Sequence, residues 1–88
     1  MNDRYPQRRT IPPQLGAELR AARVTQGLGI REAARLVGTD RGYLSRIERG
    51  LRCPRPAMAL VMVSVYALDE RVATRLMAEA SLTVPRHR

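Results

Sequence analysis

The sequence predicts an all-α protein, a compact five-helix domain, on three observations. Its 88 residues make one small domain at most, burying roughly 60–65% of the unfolded chain's surface, so the core must be compact and of one structural class. Apolar residues recur at three- and four-residue spacing in four segments, the signature of helices with one face turned inward, and a further segment, residues 57–66, is apolar nearly all round. Prolines and glycines fall between those segments, at Pro12 and Pro13, Gly27 and Gly29, Gly38, and Gly50 to Pro56, where helices start or stop.

Residues 1–10, MNDRYPQRRT, carry Arg4, Arg8 and Arg9 around a proline without apolar periodicity, and are predicted to form a flexible basic arm. Such an arm can wrap or enter a groove of nucleic acid. A frayed, merely solubilising terminus fits the same residues. The folded domain is expected over residues 11–84, with a disordered tail at 85–88.

Pro12 and Pro13 open the first helix, because proline is tolerated in a first turn whose amides lack intrahelical partners. Leu15, Leu19, Ala22 and Val24 are assigned to its inner face, and Gly27 and Gly29 end it near Thr25 or Gln26. Leu28, between those glycines, is assigned as a core plug. The second helix is predicted from about Ile30 to Val37 with Ala33, Ala34 and Val37 inside. Gly29 is a weak cap, so this helix depends on tertiary packing. Gly38 supplies the left-handed turn that follows. Thr39 or Asp40 then caps a third helix running to about Arg49, with Leu44 and Ile47 inward and Arg41, Gly42, Tyr43, Ser45 and Arg46 facing out. The prolines of GLRCPRP delay the fourth helix to Ala57–Tyr66. Met58, Leu60, Val61, Met62, Val63 and Val65 make it apolar nearly all round, so a second surface must cover it, either the fifth helix or another subunit. The fifth helix is predicted from Asp69, its cap, to Ala80, with Val72, Leu76 and Ala80 inside, and Leu82 and Val84 docking beyond it.

Sixteen basic residues, all arginine, oppose eight acidic ones, giving a net charge of +8. A biased genome composition also yields an all-arginine set. The sign nevertheless calls for an anionic partner, and nucleic acid is favoured over a membrane surface because arginine's planar fork matches phosphate oxygens and the guanine edge. A single cysteine, Cys53, and a single histidine, His87, exclude an internal disulfide and a structural zinc site, and no cofactor is implied. No apolar run approaches the ~20 residues of a membrane span, and the first ten residues are too polar for a signal peptide, so a cytoplasmic location and no membrane partner are expected. With no metal set, no paired nucleophile and base, and no glycine-rich phosphate loop after a strand, an enzyme is not expected.

Within GIREAARLVGTDRGYLSRIERG, residues 29–50, Ala34 is a small residue in the middle of a helix, Gly38 starts a turn, Leu44 and Ile47 anchor the next helix, and Glu48 and Gly50 follow. This pattern resembles the helix-turn-helix of the Cro and lambda-type phage repressor family, also called the xenobiotic-response-element family, and the likeness extends from about Leu15 to Ala67. The resemblance implies a double-stranded DNA partner, with the third helix in the major groove. It pairs Arg23 with Glu48 as a structural ion pair. It assigns base reading to Arg41, Tyr43 and Arg46, the last two with phosphate as the alternative contact, with Gly42 and Ser45 secondary, and phosphate contact to Ile30 (through its backbone), Arg31, Arg49, Arg52 and Arg55. Two residues depart from the family's pattern. Ile30 stands where a phosphate-contacting glutamine is common, and Gly42 where a base-reading side chain is common; glycine there either permits close approach to DNA or is simply tolerated.

The function expected on these grounds is a sequence-specific transcriptional regulator, a repressor, binding a palindromic operator as a homodimer. The alternative is a protein-interaction module, such as an antitoxin whose fourth and fifth helices cover a second protein while the motif represses its own promoter.

Overall fold

A computed structural model describes residues 9–82, all the regular structure of which is helical. The five helices are α1 (Pro13–Thr25), α2 (Ile30–Val37), α3 (Arg41–Glu48), α4 (Pro56–Val65) and α5 (Glu70–Ser81). The arm over residues 1–8 and the tail over 85–88 lie outside the described residues, as does Val84.

One core is built from the inner stripe of every helix. Leu15 and Leu19 of α1, Ala33 and Ala34 of α2, Leu44 and Ile47 of α3, Ala59 and Met62 of α4 and Leu76 of α5 are all buried, joined by Tyr66 just past α4. Ile11, ahead of the two prolines, is buried as well. Helix α1 packs on α3 and α5, α2 on α3 and α4, and α4 on α5. The α1–α3 contact is close because Gly16 is buried in it: a Cβ there would lie 2.5 Å from the backbone oxygen of Glu48.

Several expectations change in detail. Val24 is exposed, not inward; it stands five residues after Leu19, ~140° around the helix, whereas Ala22 continues the inner stripe. Leu28 is only half-buried against the core. Helix α4 begins at Pro56 and not at Ala57, proline being accommodated at its first position. Leu82 is exposed. Although α5 lies along α4, it leaves Leu60 and Val61 of α4 63% and 40% exposed, so α5 does not fully cover the apolar face of α4.

Candidate nucleic-acid interface

The turn between α2 and α3 is made by Gly38, which adopts φ +93°. Its amide and that of Thr39 both donate to the Ala34 carbonyl, at 2.8 and 2.9 Å, satisfying a group the end of α2 would otherwise leave open. Asp40 caps α3, its Oδ1 accepting from the Tyr43 amide at 2.8 Å. The cap is thus Asp40 and not Thr39, which fixes which side chains stand in the first turn of α3.

The orientation of α3 is set from behind. Arg23 of α1 donates from Nε and Nη2 to the two carboxylate oxygens of Glu48, at 2.8 and 2.9 Å, and from Nη1 to the Leu28 carbonyl at 2.9 Å. The Tyr66 hydroxyl donates to Glu48 Oε2 at 2.6 Å. Both charged side chains are nearly enclosed, at 11% and 4% exposure, so their desolvation is offset only by this set of charge-assisted bonds. The bond to Glu48 raises the basicity of Arg23 despite its burial. Burial, with the hydrogen bond to Glu48 next, pushes the Tyr66 phenol well above its ordinary value. Arg23 and Glu48 thus form the ion pair expected of them, with Tyr66 as a third member that the sequence did not signal.

On the outer side, Arg41 and Arg46 are exposed, Gly42 and Ser45 half-buried. Tyr43 is turned partly inward: its ring packs against the core and its hydroxyl donates to the Cys53 carbonyl at 3.3 Å, so only part of the ring is left to face outward. That bond also ties α3 to the following loop. The loop is braced again at Gly50, whose φ of +80° and close approach to Pro13 leave no room for a side chain, and at the fully buried Pro54. Arg49 and Arg55 are exposed on it, while Arg52 is half-buried and donates to the Leu51 carbonyl at 2.7 Å. Burial raises the Cys53 thiol above its usual range, favouring the inert protonated form. At the start of α2, Ile30 is half-buried and Arg31 exposed, and no side chain caps the helix, so its first amides are open to an anion.

Glu48 is consumed by Arg23 and Tyr66, and Asp40 by its capping bond. Arg31, Arg41, Arg46, Arg49, Arg52 and Arg55 consequently form no ion pair among the described residues. Arg9 belongs to another contact, donating to the Glu79 carbonyl on α5.

A short helix, a glycine turn and a capped second helix, braced by α1 and presenting unpaired arginines, define a helix-turn-helix of the Cro and lambda-repressor type. The helix-turn-helix domain family matches residues 14–76, and the chain belongs to that family; together with the likeness that follows, this makes it a DNA-binding transcriptional regulator. Among solved structures it is similar to the restriction-modification controller protein C.AhdI from Aeromonas hydrophila, with 30% sequence identity, a TM-score of 0.62, and coverage of 69% of this chain and 88% of that one. No curated protein matches the chain by sequence. No helix among the described residues is long and apolar enough to cross a membrane.

Proposed function

We propose that this chain is a sequence-specific transcriptional repressor that binds a palindromic operator as a homodimer, with the first turns of α3 in the major groove. The observation that carries the proposal is the outer face of α3, where Arg41 and Arg46 stand exposed, without an ion-pair partner among the described residues, on a helix whose inner face is fully packed. A helix in the major groove meets base edges with its amino-terminal residues, and arginine can bind guanine O6 and N7 together. Arg41 and Arg46 are assigned to bases, with Tyr43 offering a ring edge to a thymine methyl, and Gly42 and Ser45 secondary. The α2 amides at Ile30, with Arg31, Arg49, Arg52 and Arg55, are assigned to phosphates. A dimer bound over the polymerase site of a promoter blocks transcription sterically, and the likeness to a controller protein supports a regulatory role. Replacing Arg52 or Arg55 with alanine should weaken binding equally on all sequences and lower the slope of log Kobs against log salt by about 0.9 each. An unchanged slope places that arginine in solvent.

Two or three base contacts are too few for one copy to find a site, and a two-fold dimer doubles them at half-sites ~34 Å apart. The surface assigned to dimerisation is the apolar hollow between α4 and α5, bordered by Leu60, Val63, Ala73, Met77 and Ala78. Among the described residues no charged side chain lines it, which suits a contact between two copies that each carry net positive charge. A surface carrying both a protruding Leu60 and a shallow hollow suits an isologous contact.

Sedimentation of the wild type at micromolar concentration should give a dimer and, on a duplex carrying both half-sites, two protomers per duplex. Leu60→Asp should give a folded monomer whose affinity for that duplex falls at least tenfold. A dimer that survives Leu60→Asp moves the interface elsewhere and frees this face for another protein. A wild-type monomer binding one per duplex contradicts the homodimer.

A further inference from the structure

We propose that Gly42 is a specificity-determining position because its missing side chain makes room for the guanidinium of Arg46 over the first turn of α3. This rests on the assignment of α3 to the major groove. Residues 42 and 46 are one helical turn apart on the same face, and a long side chain on a helix leans back toward the amino terminus. Arg46 does so here: its Nη1 lies 3.7 Å from where a Gly42 Cβ would stand. The other near neighbour of that position is Asp40 Oδ1, at 3.3 Å, the oxygen that caps the helix through the Tyr43 amide.

A bare Cβ therefore fits between them. It is in ordinary contact with the guanidinium and asks the cap oxygen to give by a few tenths of an ångström, while alanine's better helix propensity works in the opposite direction. A larger side chain must displace one of the two neighbours. Asp40 is held by its hydrogen bond and by the start of the helix; the Arg46 guanidinium is exposed, long and without an ion-pair partner among the described residues. The guanidinium is the group that moves, and with it the base it reads.

Two explanations of the glycine thus separate by size. If the backbone itself must approach DNA, a methyl group is already harmful. If the vacancy serves Arg46, alanine is accepted and leucine is not.

The test measures affinity for the site that the wild type enriches from a random duplex pool and for its single-base variants with Gly42→Ala, Gly42→Leu, Arg46→Ala and the double variant Gly42→Leu/Arg46→Ala, with circular dichroism confirming that each is folded. Gly42→Ala should keep discrimination within about twofold. Gly42→Leu should lose roughly 5- to 150-fold of discrimination at one base pair per half-site, the same pair that Arg46→Ala relaxes. The double variant should bind no worse than Arg46→Ala alone. The proposal is overturned if Gly42→Ala costs tenfold or more in affinity, if Gly42→Leu leaves discrimination intact, or if its cost multiplies with that of Arg46→Ala. Should Arg46→Ala instead weaken all sequences equally, Arg46 contacts phosphate and its base-reading role fails, while the comparison of single and double variants still reports whether Gly42 acts through it.

Discussion

Arg23→Ala is expected to destabilise the fold by about 3–5 kcal/mol, as is typical when one partner of a buried ion pair is removed. The loss strands the Glu48 carboxylate, which is 4% exposed, with only the Tyr66 hydroxyl to solvate it. It also unties the Leu28 carbonyl and with it the α1–α2 connection. For a domain whose whole stability lies in the range of about 5–15 kcal/mol, that is about a fifth of the total or more. The cost belongs to the broken pair and not to the absence of ions. Replacing all three members by apolar residues of similar size, Arg23→Met, Glu48→Leu and Tyr66→Phe, should cost far less, because no charge is then left buried alone. Urea midpoints of the wild type, the single variant and the triple variant decide this; a single variant within 1 kcal/mol of wild type would mean that water reaches Glu48 freely.

Gly16→Ala should lower the melting temperature by roughly 8–15 °C, equivalent to about 2 kcal/mol in a domain of this size. Alanine is the better helix former by about 1 kcal/mol, but its Cβ would sit 2.5 Å from the Glu48 oxygen and 2.9 Å from its carbon. Both are backbone atoms of α3, so no side-chain rotation relieves the contact, and α1 must move away from the helix it braces. Gly42 provides the internal control, since the nearest atom there is a side-chain oxygen at 3.3 Å and the same substitution should be accepted. Equal melting temperatures for Gly16→Ala and wild type would contradict the close α1–α3 packing.

The sequence carried the scaffold of the motif because each of its parts leaves a local trace. Ala34, Gly38, Leu44 and Ile47 combine helical spacing with a glycine turn, and all four have the positions expected of them. Features that depend on distant partners left no such trace. Tyr66 ends a helix that reads as uniformly apolar, and its partner Glu48 is eighteen residues away in the chain. Gly16 looks like any glycine in a helix until α3 is laid across it. Periodicity also loses precision at helix ends, where an apolar residue such as Val24 reads as inward although it is exposed. The apolar character of α4 was legible, but how much of it α5 covers depends on the relative placement of two helices. Tyr43 shows the same limit within the candidate site: its position on α3 was readable, while the bond from its hydroxyl to Cys53 depends on the path of the loop.

Sequence-specific reading of DNA through α3 is tested most directly by selecting bound sites from a random duplex pool with the wild type and with Arg41→Ala. The wild type should enrich a palindrome with half-sites about one helical turn apart. Arg41→Ala should enrich the same palindrome with preference relaxed at one base pair per half-site, at a cost of about 1–3 kcal/mol on the wild-type site. No enriched sequence with the wild type, or an Arg41→Ala profile that is weaker but unchanged in every position, would contradict base reading by this helix.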